Sequence, residues 1–172
     1  MPADVDNIRL GHCEATYNSV DLGHTKGGVE ITLSQDVYEA TVDKYGSSPV
    51  KTFDKGLRVE VKLTLAEYQL DIMKAVINQA VKVEGSGGTP VDAVTFGKEA
   101  GSEIAGALLT LHPIDGTSTQ EDVSIYKAVP IGEVKLPYKI DEETTYEVTL
   151  LGLIDESKSD GNLIGKFGTA ST

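Results

Sequence analysis

Hydrophobic and polar residues alternate most regularly from Leu57 to Thr64, where Leu57, Val59, Val61 and Leu63 are interleaved with Arg58, Glu60, Lys62 and Thr64. A period of two places each set on its own face, so the segment predicts a strand with one buried side. A second alternation, Val29-Glu30-Ile31-Thr32-Leu33-Ser34, is followed by Tyr38, Ala40 and Val42 in a changed phase. The change at Gln35-Asp36 predicts two strands, or one strand bent at a bulge or tight turn. Between these patterns, residues 43–56 carry glycines, serines and a proline. They predict a long inter-strand loop, too long for a tight hairpin turn, and loops of that length are usually functional or disordered.

The periodicity then lengthens. Thr64-Leu65-Ala66-Glu67 reads as a capping box, with Thr64 accepting from the Glu67 amide and Glu67 reaching back. It predicts a helix over about 65–79 whose inner face is Leu65, Tyr68, Ile72 and Val76, fading before the turn Gly85-Ser86-Gly87-Gly88. Further strands are predicted over Ile104–Leu111, Val123–Val129, Val134–Ile140 and Tyr146–Leu150. Short strands punctuated by glycine and proline, with one helix among them, predict a mainly β chain. The expected architecture is an antiparallel β-sandwich or barrel with one flanking α-helix and a long inter-strand loop. Residues 161–172 end the chain as a glycine-containing tail, expected to be loose unless a neighbour orders it.

Composition narrows the function classes. At 172 residues the chain fits one domain with its own core, and 18 glycines with no tryptophan favour turns over long helices. The formal net charge is -12, and Arg9 and Arg58 are the only arginines. Tight nucleic-acid binding needs a basic patch that displaces counterions, so it is not expected here. No apolar run approaches the roughly 20 residues of a membrane helix, and Met-Pro-Ala-Asp-Val-Asp lacks the features of a signal peptide. The expectation is a cytosolic protein with no membrane partner. Cys13 is the one cysteine and reads as a half-buried strand residue rather than a reactive thiol.

The common catalytic and metal-binding patterns are absent from the sequence. The chain contains no phosphate-binding G-x-x-x-x-G-K-[ST], no G-x-S-x-G elbow, no H-E-x-x-H and no C-x-x-C. Gly85-Ser86-Gly87-Gly88 lacks a suitably placed lysine and reads as a turn. Asp155-Glu156-Ser157-Lys158-Ser159-Asp160-Gly161 repeats oxygen side chains like a calcium loop, but its glycine falls one place late and Lys166 stands where a glutamate should close the loop. Asp141-Glu142-Glu143 reads as a charged turn, and His12, His24 and His112 have no gathering spacing. No catalytic, cofactor-binding or metal-ligating residue is assigned, and no enzyme activity is expected.

One ordered set of short words stands out: Leu22-Gly23-His24-Thr25-Lys26-Gly27-Gly28-Val29-Glu30-Ile31, then Tyr38-Glu39-Ala40-Thr41-Val42-Asp43-Lys44-Tyr45-Gly46, then Pro49-Val50, Gly56, and Leu65-Ala66-Glu67. Over this first half the chain resembles the tail tube proteins of long-tailed bacteriophages. There a G-x-T-x-G-G-V turn leads into a strand, a V-D pair and a small-residue loop ending in P-V follow, and a strand delivers the chain to L-A-E. The second half agrees in strand pattern only.

The resemblance implies a self-assembling structural virion protein and not an enzyme: six copies per ring, rings stacked into a tube through which viral DNA leaves. Its partners would be itself, the tail tip or initiator, the tape measure and the tail terminator, first in the host cytoplasm and then in the virion. It also implies that the loop reaching an adjacent subunit comprises Asp43, Tyr45, Gly46, Ser47, Ser48, Pro49, Val50, Lys51, Phe53, Asp54 and Gly56, with the amino-terminal arm and carboxyl-terminal tail as further contacts. An acidic lumen would repel phosphates and let DNA slide. Competing readings are a secretion-system tube, a head-decoration protein, a β-sandwich binding module using Tyr17, Tyr45 and Phe53, or a hydrolase with paired carboxylates.

Overall fold

The computed structural model describes residues 11–85, 92–114, 119–141 and 143–169. The elements in chain order are β1 (Cys13–Tyr17), β2 (Val20–Asp21), β3 (Thr25–Thr41), β4 (Pro49–Leu65), α1 (Leu70–Val76), β5 (Ala80–Val83), β6 (Ala93–Phe96), β7 (Ala107–Pro113), β8 (Val123–Lys135), β9 (Tyr146–Leu153) and β10 (Gly165–Phe167). The main sheet runs β2-β1-β7-β8-β9-β4-β3, with β10 also beside β8, while β5 and β6 form a separate pair. All these pairings are antiparallel. The chain is mainly β, as the alternations predict, and the sheet is open and sandwich-like rather than a closed barrel.

The strand alternations define the core. Val59, Val61, Leu63 and Leu65 from β4 meet Tyr146, Val148 and Leu150 from β9, Leu109 and Leu111 from β7, and Ala15 and Tyr17 from β1. Ile72 and Val76 of α1 close this apolar set. Each fully buried aliphatic side chain contributes about 1.5–3 kcal/mol, so the body of the sheet is where the fold is held.

The helix is shorter than the capping box predicts. Thr64 and Leu65 belong to β4, and α1 begins only after Gln69, whose side chain makes no capping hydrogen bond. Leu65 is buried through its place in the β4 alternation, opposite Tyr146, while Tyr68 is 57% exposed. A ladder already formed with β9 outweighs a local cap that contributes about 1 kcal/mol. The strand predicted through Ile140 also stops early, because β8 ends at Lys135 and leaves Tyr138 and Ile140 exposed.

The predicted long loop is largely strand. Only Val42, the 3-10 turn Asp43–Tyr45 and the following Gly46, Ser47 and Ser48 separate β3 from β4. The phase change near Gln35-Asp36 is one bent strand with a register shift between Asp36 and Val37. Across that shift Lys55 is the extra residue on β4, and Gly56 takes φ +136°, a conformation that side-chain-bearing residues rarely adopt. Within the tail Gly165–Phe167 pair with Val123–Ile125 as a strand, and residues 170–172 lie outside the described residues. The amino-terminal arm over residues 1–10, the turn residues Ser86, Gly87 and Gly88, and Glu142 lie outside the described residues.

Candidate functional site

β3 and β4 form a two-stranded arm whose outer half leaves the body of the sheet. β9 pairs with β4 only from Val59 to Leu65, so beyond Arg58 the two arm strands have only each other. From residue 33 to residue 58 every side chain is exposed except Ala40, which is half-buried. Leu33 to Thr41 alone spans about 27 Å at about 3.4 Å per residue. A free two-stranded ribbon is marginal by itself, and here it continues from a strand pair rooted in the core.

The arm is nevertheless apolar for an exposed element. Leu33, Val37, Tyr38, Val42, Tyr45, Val50, Phe53 and Leu57 are each at least 42% exposed. Register divides part of this set between two faces. Leu33, opposite Val59, shares a face with Leu57, which lies opposite Gln35. Tyr38 lies opposite Phe53 on the other face, with ring centroids 6.4 Å apart, and Ala40 lies opposite Lys51. The Lys51 ammonium stands 4.9 Å from the Phe53 ring centroid, and that of Lys44 stands 5.4 Å from the Tyr45 ring centroid, both within cation–π range.

The sequence-predicted set therefore divides. Asp43 and Tyr45 lie in the 3-10 turn and Gly46, Ser47 and Ser48 complete the tip, whereas Pro49, Val50, Lys51, Phe53, Asp54 and Gly56 are strand residues. Their partners Tyr38 and Val37, opposite Phe53 and Asp54, were missing from that set, as was Leu33 farther down the arm. The signal for Leu33 and Tyr38 was present in the two alternations, Val29-Ile31-Leu33 and Tyr38-Ala40-Val42. Tyr17, grouped with loop aromatics by its position near a turn, is a core residue whose hydroxyl donates to the Ala128 carbonyl at 3.0 Å.

The root of the arm is fixed by a local lock. Glu67 accepts from the His24 backbone amide at 2.9 Å, stands 2.7 Å from His24 Nδ1 and accepts from Gln69 Nε2 at 2.8 Å. The His24 amide bond, followed by the side-chain bonds, lowers the Glu67 pKa against a partial opposing effect of desolvation. Tyr146 donates its hydroxyl to the Glu67 carbonyl, and burial, with Glu67 and Tyr68 adding to it, pushes that phenol up to about 12. Two of the sequence words, Gly23-His24-Thr25 and Leu65-Ala66-Glu67, are thus held together in space. The predicted reach of Glu67 back to Thr64 is replaced by this longer one.

The other chemical candidates have structural partners. Asp155 accepts from Ser157 Oγ at 2.8 Å and lies 3.2 Å from Lys127 Nζ, contacts that hold its carboxyl below the usual range. A lysine thus stands beside the carboxylate that would open a calcium loop. Glu143 pairs with Lys26. Cys13 is half-buried on β1, and burial pushes its thiol up. Among the described residues, no three His, Cys, Asp or Glu side chains are grouped to hold a metal ion, and no helix is long and apolar enough to cross a membrane.

His112 lies opposite Glu14 across the β1–β7 ladder, with Nδ1 2.5 Å from Asp122 Oδ1. The bond to Asp122, then the charges of Asp122, Glu14 and Glu121, raise its pKa above the ordinary histidine value despite some desolvation. The Asp122 carbonyl also accepts from the Gly168 amide, at the end of β10. A raised folded pKa gives a stabilising contribution that is complete below about pH 6.5 and is lost as pH rises through the folded value. Urea denaturation at several pH values should show wild type losing stability relative to His112→Gln between about pH 6 and 8. Parallel curves for the two proteins would remove this assignment.

No protein-family model matches the chain, and no curated protein matches it.

Proposed function

We propose that the chain is a structural, non-enzymatic subunit of a phage tail tube, assembling as stacked rings around a conduit for viral DNA. The observation that carries the reading is the β3–β4 arm: a ribbon rooted in a core, exposed along its outer half and apolar on both faces. Such a surface is costly to leave in water. Covering about 100 Å² of an aromatic side chain yields about 2.5 kcal/mol, so burial of Tyr38 and Phe53 against a neighbour supplies a useful assembly energy.

Two further features support it. The sheet is open, with β3 at one edge and the short β2 at the other, and open edges are templates for pairing between chains. A heterologous contact repeated by rotation closes a ring. The net charge of -12 suits a conduit wall that repels phosphates, and it also keeps unassembled copies apart. In this reading the tail tip or initiator, the tape measure and the terminator are the other protein partners, and the virion tail is the destination.

Negative-stain electron microscopy and light scattering over a concentration series test it. Rings or hollow tubes of uniform width are the expected result, and added salt should favour them by screening like charges. A single-chain mass throughout would move the reading to a head-decoration or binding module.

A further inference from the structure

A gap in the main sheet lies beside the root of the arm. β9 ends at Leu153, and the chain loops outward before returning as β10 against Val123–Ile125 of β8. No described strand fills the place between β10 and the outer part of β4. The resulting groove has a volume of about 440 Å³ and is lined by Leu33 and Leu57 on the arm side, Phe167 on the β10 side, and Ile154, Leu163 and Ile164 from the connecting loop. Strand spacing, sheet spacing and rise give about 160 Å³ per packed strand residue, so the groove has room for about three residues.

We propose that this groove receives the outer arm of a second copy of the chain, with Tyr38, Ala40 and Phe53 entering it. The inference rests on the assembly reading above and names the receiving surface. The arm cannot fill its own groove. Tyr38 and Phe53 lie on the face opposite Leu33 and Leu57, and Tyr38 is five residues, about 17 Å, farther along the strand. Contact therefore needs two chains, and because donor and receiver surfaces differ it is heterologous and can be repeated from copy to copy.

Charge favours this pairing. Lys51 shares the donor face with Tyr38 and Phe53. The groove is lined by two carboxylates, Asp54 and Asp160, against one lysine, Lys166. In the loop between β9 and β10, outside the lining itself, the exposed Glu156 and Lys158 offset each other, and Asp155 is already paired with Lys127. Lys51 entering beside Asp160 brings opposite charges together at the rim, where they guide orientation more than they add affinity.

The test uses the full chain in a Cys13→Ser background. Tyr38→Cys and Ile154→Cys proteins are mixed and oxidised under conditions in which wild type gains mass. A disulfide-linked species of twice the chain mass, requiring both cysteines, is expected. Separately, Lys51→Asp and Asp160→Lys should each slow assembly about fivefold, and chains carrying both should recover most of the wild-type rate. Wild-type assembly with no mixed disulfide and no recovery overturns the groove assignment and leaves the assembly reading standing. A wild-type protein that remains at single-chain mass throughout removes both.

Discussion

Cutting the arm back to its root, by joining Val37 to Asp54 through an Asn-Gly turn, is expected to give a protein that folds but no longer assembles. Val37 and Asp54 are register partners, so the shortened ribbon closes where the ladder already pairs, and Asn-Gly suits a two-residue hairpin turn. None of the buried core residues lies between them. Circular dichroism should therefore show a melting temperature within about 3 °C of wild type, as for changes that leave buried contacts alone. Light scattering under conditions in which wild type grows should remain at one chain mass. Growth at the wild-type rate would remove the arm from assembly. A shorter deletion, of Ser47 to Asp54, would be a poor test because it removes the β4 partners of Val37–Thr41 and exposes an unpaired edge.

That difference shows what the sequence made legible. The strand alternations of β4 and β9 could be read because a half-buried strand writes its environment every second residue. The bulge near Asp36 was legible for the same reason, as a break in phase. Residues 49–56 were not, since both faces of the outer arm are exposed and no burial pattern distinguishes a strand there from a loop. Pro49, Gly56 and the serines are common to both. The arm's extension comes instead from cross-strand pairing with Val37–Thr41, a partner that local propensity does not reveal.

The helix start failed for a related reason. Thr64-Leu65-Ala66-Glu67 satisfies the local chemistry of a cap, but Leu65 also completes a four-residue apolar alternation opposite β9. Burial of that leucine outweighs one cap. The groove beside β10 was illegible altogether, because it depends on where β9 stops and on the return of residues far along the chain. Its recognition needed the sheet order.

Gly23→Ala should be the most damaging single substitution at the arm root. Gly23 has φ +70°, and a Cβ built there would stand 2.6 Å from the Glu67 carboxyl carbon. Two costs combine. An L-residue held in the left-handed region costs roughly 1–2 kcal/mol, and Glu67 must also move away from the His24 amide and Nδ1 it now contacts. The backbone cost alone predicts a melting temperature lower by about 3–8 °C for a domain of this size. The lock orients the chain entering β3, so assembly should fall even below the new melting temperature. Gly23→Ala combined with Glu67→Ala separates the causes: removing the carboxylate relieves the clash but keeps the backbone cost, so part of the stability should return. No loss in Gly23→Ala would mean that the turn relaxes freely, and the proposed lock between His24 and Glu67 would then have no part in holding the arm.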